Sequence, residues 1–295
     1  MTGFADEAGP SIDIQIKATK ELGWKNIEMR SVQAGEGKPA NLHDISDRDF
    51  DVVARKLELA GVQINCFGSA IANWGKKIDE PFDSSLAEVR RAIPRMKRLG
   101  TKLIRIMSFA VREQDDQMEE ERFRRLRELL KMFNDEGLTP VHENCMNYGG
   151  MSWRHTLKLI ENVPGLKLVF DTGNPIFTDD RSKPKPHPKQ SAWEFYDHVK
   201  EHIAYIHIKD GRFDDREQKS IFSFPGEGVG EVRRIMKDLI ARGYEGGISI
   251  EPHLAVVFHD ETKKSSAEIM YSNYVEYGRR MMKMIEEIKK ETGKK

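Results

Sequence analysis

Short apolar runs alternate along the chain with longer stretches in which apolar positions return every three or four residues. These are the periods of a buried strand and an amphipathic helix. Strand-like runs fall at Gly3–Asp6, Asn26–Val32, Val62–Phe67, Leu103–Phe109, Leu138–Glu143, Leu166–Asp171, Ala204–Lys209 and Gly246–Glu251. The helical period spans Ile12–Leu22, Asp47–Leu59, Asp83–Leu99, Met118–Glu136, Trp153–Glu161, Trp193–His202 and Gly230–Arg242, and Ile269–Glu291 forms a closing helix. Ser11 stands where a helix N-cap is expected, and Gly23, Gly61 and Gly137 stand where helices should stop. The phrases ELGWKNIEM, LAGVQINCF, RLGTKLIRI, DEGLTPVHE and ARGYEGGISI repeat one plan: helix end, glycine, a few residues, buried strand.

The strands do not alternate cleanly between apolar and polar, which fits parallel strands covered on both faces. Eight strands and eight helices in one unbroken rhythm predict an α/β protein, a single-domain (β/α)₈ TIM barrel over residues 1–295. A doubly wound open sheet is the alternative, but no strand leads through a G-x-G-x-x-G turn into a helix.

Composition narrows the setting rather than the fold. Lys+Arg and Asp+Glu both number 48, so the strong basic field of most nucleic-acid binders is absent. Cys66 and Cys145 lie in or beside strand-like runs, which suggests a reducing, cytoplasmic compartment rather than a disulfide framework. No apolar run is long enough to predict a transmembrane helix, and MTGFADEAGP lacks a signal pattern. The expectation is a cytoplasmic protein with neither a membrane nor a nucleic acid as partner.

The chemistry gathers at four strand ends. LTPVHEN carries Glu143, LKLVFDTGN carries Asp171, IAYIHIKD carries His207 and GGISIEPH carries Glu251, each where an apolar run gives way to polar loop. In a (β/α)₈ barrel active sites lie at the C-terminal mouths of the strands, so strands five to eight would place four ligands around one half of the mouth. Three carboxylates and one imidazole suit a fairly hard divalent ion, Mn²⁺ first, with Mg²⁺, Co²⁺ or Zn²⁺ as alternatives. A lone acid at a strand end is usually a cap or a solvated group; four at successive ends argue for one metal site. Residues i and i+2 share a strand face, which brings Lys209 beside His207 and His253 beside Glu251. Lys209 could hold an oxyanion or simply pair with a carboxylate. His253 could donate to a substrate hydroxyl or orient Glu251.

With HEN at 142–144, DTGN at 171–174, HIKD at 207–210 and IEPH at 250–253 on this rhythm, the chain resembles the xylose isomerase-like TIM-barrel superfamily across nearly its whole length. The superfamily holds sugar isomerases and epimerases, inosose-processing enzymes and the endonuclease IV repair nucleases. The resemblance implies a keto-sugar or related polyol substrate, with Glu143 and Glu251 acting both as metal ligands and as the acid/base pair. Asp171 and His207 would be ligands only, and the metal would stabilise an enediolate between two proton transfers. It also leaves a homo-oligomer open. The ketose epimerases carry a histidine three residues after the metal-binding aspartate, where this chain has Asn174. That departure keeps a dehydratase or lyase acting on a keto-glycoside or inosose as the alternative. A nuclease is disfavoured, because INCFGS and RIMSF at strands three and four lack the extra histidines of a trinuclear zinc site.

Two loops are candidates for substrate contact. GSAIANWGKK carries Trp74, which could cover a sugar face or pack on a helix. DDRSKPKPHPKQ is stiffened by prolines and carries lysines and His187, which could reach the site or stay on a solvated surface. The run Pro225–Gly228 could offer backbone amides to a ligand or be a turn before a helix.

Overall fold

The structure, a computed structural model, describes residues 1–257 and 260–293. Its eight barrel strands are β1 (Thr2–Gly3), β2 (Asn26–Met29), β3 (Gln63–Phe67), β4 (Leu103–Ile106), β5 (Thr139–Glu143), β6 (Lys167–Asp171), β7 (Ile203–Ile208) and β8 (Gly247–Ile250). All pair in parallel in the order β1-β8-β7-β6-β5-β4-β3-β2, and a parallel bridge from Phe4 to Glu28 brings the two outer strands together. The result is the expected (β/α)₈ barrel, nearly closed.

The surrounding helices are α1 (Ile12–Glu21), α2 (Asp47–Ala60), α3 (Asp83–Leu99), α4 (Glu119–Asn134), α5 (Trp153–Asn162), α6 (Ala192–Val199), α7 (Val232–Ala241) and α8 (Ala267–Thr292). Their starts follow from the sequence. Ser11, Ser46, Ser191 and Ser266 each accept the backbone N–H three residues on, at 3.3, 3.1, 3.1 and 3.3 Å, which satisfies a donor the helix leaves open. The stop after α3 shows why glycine recurs in the repeated phrase: Gly100 sits at φ +69°, where a side chain would be strained.

The strands are shorter than the apolar runs suggest. β1 ends at Gly3, and Ala5–Glu7 form a 3₁₀ turn instead of continuing it. After β4 the chain leaves the sheet: Met107 N–H bonds Ile71 O at 3.1 Å and Phe109 N–H bonds Ala72 O at 2.6 Å, so this apolar tail pairs with a loop. The stretch after β7 holds a hairpin of Gly211–Asp214 and Lys219–Phe222. Asp214 Oδ1 accepts the amides of Arg216 and Glu217 at 3.0 and 3.2 Å, which closes its turn. A single helical turn, Asn174–Phe177, follows β6, and a ribbon of Ser31–Val32 with Ala40–Asn41 follows β2.

Apolar packing occupies two shells. The outer one lies between strands and helices, with Ile104, Ile206, Ile208 and Ile250 meeting Phe123, Leu126, Leu239 and Met281. The inner one is a small plug of Cys66, Val141, Val169 and Tyr205 inside the barrel. Two residues further along β5, β6 and β7, on the same interior face, come Glu143, Asp171 and His207, so the charged layer rests on an apolar floor.

Candidate metal centre and active site

Glu143, Asp171, His207 and Glu251 converge at the C-terminal mouth. All four are buried, and each offers a ligand atom that lies within 4.8 Å of the others. Parallel register explains the meeting, since Asp171 of β6 stands opposite His207 of β7. Glu251 follows β8, with its N–H bonded to Ile208 O at 2.9 Å. Glu143 Oε1 faces His207 Nδ1 at 3.3 Å, and the opposite ring nitrogen, Nε2, meets the buried Glu28 carboxylate at 3.0–3.1 Å. With Nε2 tied to Glu28, Nδ1 is the ring atom turned towards the cluster. Asp171 Oδ2 and Glu251 Oε2 are buried and receive no hydrogen bond of good geometry, although Lys209 Nζ lies 3.1 and 2.8 Å away as a counter-charge. Two orphaned carboxylate oxygens, a third carboxylate and an oriented imidazole fit a divalent cation.

Burying so many acids requires cations around them. Arg105 Nη1 donates to Glu143 Oε2 at 2.9 Å, and Arg30 Nη1 donates to Glu251 Oε1 at 2.9 Å. Arg30 is itself clamped by Asp6 through two hydrogen bonds, at 2.9 and 3.1 Å. Both guanidinium groups lie over the Phe4 ring, 4.4 Å from its centre for Arg30 and 5.0 Å for Arg105. The protonation states follow from these neighbours. Burial works to raise Glu143, but Arg105 and His207 override it and hold the carboxyl at about 2. Glu251 is held well below the carboxylate range by Lys209, His253 and Arg30, again against burial. Asp171 goes the other way, to about 7, because burial and the charges of Glu251 and Glu143 outweigh Lys209. Burial disfavours the His207 cation, yet Glu28 and Glu143 raise it to about 10.

The sequence profile of the family described as Xylose isomerase-like TIM barrel matches residues 16–272. The chain belongs to that family. No curated protein matches it. Among solved structures, a D-tagatose 3-epimerase-like protein is 17% identical, covers 98% of each chain and superposes with a TM-score of 0.69. A xylose isomerase domain protein from Planctomyces limnophilus is 17% identical, covers 96% of each chain and has a TM-score of 0.67. A xylose isomerase-like TIM barrel protein from Mycobacterium smegmatis, solved in complex with magnesium, is 16% identical. It covers 94% of this chain and 91% of that one, with a TM-score of 0.65. Proteins of this fold include sugar epimerases and a probable dehydratase.

In this xylose isomerase-like barrel most other residues anticipated from the sequence line one cavity of about 360 Å³ above the cluster: Lys209, Asn174, His253 and Trp74. Lys209 Nζ donates to Asn174 Oδ1 at 3.1 Å, and Asn174 Nδ2 donates to Glu143 Oε1 at 3.2 Å, so the pair links Glu143 to Asp171 and Glu251. His253 takes a left-handed backbone, φ +53°. Its N–H and Nδ1 both meet Glu7, at 2.7 and 2.9 Å, and Nε2 stands 3.6 Å from Glu251. Trp74 stands 41% exposed at the mouth. His187 is not brought to this cavity. Its Nδ1 faces Lys183 O at 2.7 Å, and it lines a separate cavity with His155 and Arg181, because its loop folds back on itself. The amides of the Pro225–Gly228 run are already engaged. Asp210 accepts from Gly211, Gly226, Gly228 and Gly230 at 2.8–3.2 Å, and a Cβ at Gly228 would come within 2.3 Å of that carboxylate.

Glu28, Arg30, Arg105, Asp6 and Glu7 were missed by sequence reasoning. A signal was present for two of them. Glu28 and Arg105 are single charges inside apolar runs of barrel strands, and a strand covered by helices outside must turn such a charge inward.

Proposed function

We propose that the protein is a divalent-metal-dependent isomerase or epimerase acting on a keto-sugar or related polyol. The observation that carries this reading is the pair of glutamates, Glu143 and Glu251, on one buried cavity floor. Each pairs with an arginine, Glu143 with Arg105 and Glu251 with Arg30, and each shares the candidate ligand cluster with Asp171 and His207. Glu143, Asp171, His207 and Glu251 would hold a divalent cation, which would supply Lewis acidity at the substrate's ketone. The glutamates supply the rest. One, ionised, takes the proton from the hydroxyl-bearing carbon beside the ketone; the other, after drawing a proton from solvent, returns one to that carbon or its neighbour, and the first then releases its proton to solvent. Lys209 and Arg105, on the same floor, oppose negative charge developing on the substrate oxygen. Mn²⁺ suits a set of three carboxylates and one imidazole; Mg²⁺, Co²⁺ and Zn²⁺ are the alternatives. The free thiols of Cys66 and Cys145 suit a reducing, cytoplasmic setting. Among the described residues no helix is long and apolar enough to cross a membrane.

The test is metal analysis and solvent exchange on the wild type, Glu143→Gln and Glu251→Gln. The expected result is one divalent ion per chain and solvent deuterium in a product of unchanged composition. Each variant should exchange about 10²–10⁴-fold more slowly. Loss of a substituent from the substrate would make the protein a lyase. Folded protein that neither holds metal nor exchanges deuterium with any keto-sugar would sink the reading.

A further inference from the structure

The cavity above the cluster has two storeys of opposite character. The floor is charged, as described. The storey above it is built by successive loops: Trp74 after β3, Met146 after β5, Phe177 after β6 and Phe222 from the hairpin after β7. Phe177 and Phe222 pack 4.9 Å apart, ring centre to ring centre, and Phe222 sets its edge to His253 at 5.1 Å. This apolar wall therefore continues directly from the floor. Trp74 and Met146, each 41% exposed, carry it out to solvent.

Three polar side chains on the same rim are engaged with the chain itself. Asn41 Oδ1 accepts the Ala70 amide at 2.9 Å, Asn73 Oδ1 accepts the Gly75 amide at 3.1 Å, and Thr178 Oγ1 donates to Asn174 O at 2.9 Å. A second sugar ring seated against the four apolar side chains would set its hydroxyls on apolar surface, and hydroxyls taken from water without partners are costly. An aromatic ring would instead meet the indole, two phenyl rings and a thioether, all of which favour ring contacts.

We infer that the substrate is a keto-sugar carrying an aromatic aglycone, with its polyol on the charged floor and its ring against Trp74, Met146, Phe177 and Phe222. This rests on the keto-sugar reading of the floor and extends it outwards.

The experiment is calorimetric titration of the metal-loaded protein with phenyl, methyl and glucosyl glycosides of one 3-keto-glucose, alongside deuterium exchange on each. The phenyl compound is expected to bind tenfold or more tighter than the methyl and glucosyl compounds. Trp74→Ala and Met146→Ser, both at exposed positions that should leave folding intact, are expected to bring the phenyl-to-methyl ratio within threefold. Exchange of the methyl compound with no phenyl advantage overturns the aromatic subsite and leaves the keto-sugar reading standing. Tighter binding of the glucosyl compound overturns it in favour of a sugar subsite. No binding and no exchange with any of the three overturns both.

Discussion

The two halves of the barrel do different work at the same mouth. Strands β5 to β8 end in the four candidate ligands, Glu143, Asp171, His207 and Glu251. Strands β1, β2 and β4 bring no candidate ligand to that cluster. They bring what holds it: Phe4 with the Asp6–Glu7 turn, Glu28 with Arg30, and Arg105. The contrast shows that the ligand half could not exist alone. Three buried carboxylates at this spacing repel one another and have lost their water. Lys209 beside them and Arg30 and Arg105 from the opposite wall make them affordable, and a carboxylate of that wall aims the imidazole.

Removing one support breaks the contrast most directly. Arg105→Met leaves Glu143 buried without its guanidinium, and the expected loss is about 3–5 kcal/mol of unfolding free energy by urea denaturation. In the double variant with Glu143→Gln, much of that loss should be recovered, as for residues in contact. A loss near zero would mean that β4 contributes packing only.

The next effect is a pH dependence of the metal-free protein. His207 is raised from 6.5 to about 10 by Glu28 and Glu143, so the folded state binds the extra proton more tightly than the unfolded one. The stability from this group is complete below pH 6.5 and is lost as pH rises through about 10. Thermal melts of chelated protein should fall across that window, and Glu28→Gln should flatten the fall. A flat wild-type profile would remove Glu28 and Glu143 as the partners of a charged His207.

Smaller still is the direct effect of the β2 carboxylate on metal affinity. Glu28→Gln should weaken binding about 10–100-fold, while His207→Ala, which deletes a ligand, should weaken it further. Equal affinities for wild type and Glu28→Gln would leave Glu28 a buried neighbour without a role in aiming the ring. The smallest effect is expected at His187, outside both halves. His187→Ala should shift stability by less than about 0.5 kcal/mol and leave metal content unchanged. A tenfold loss of exchange in that variant would bring the loop back to the site.

The sequence by itself determined the strand–helix rhythm, the helix starts at serine caps and stops at glycine, and the four candidate ligands at four strand ends. Those features are written in neighbours close along the chain: periodicity, caps and the change from apolar to polar at each strand terminus. It also foretold that Lys209 and His253 would reach the same site; both line the cavity, but His253 lies past the end of β8 on a left-handed backbone, so strand alternation does not place it. Tertiary structure alone decided the rest. His207 meets Glu28 across 179 residues and Arg30 meets Glu251 across 221, separations over which no local pattern pairs two charges. The Pro225–Gly228 run could locally offer amides to a ligand or be a turn before a helix, and only the folded chain brings Asp210 to those amides. Ligand identity is a local property of a strand end. The charge balance that lets those ligands be buried is a property of the whole barrel, settled when its two edges meet at Phe4 and Glu28.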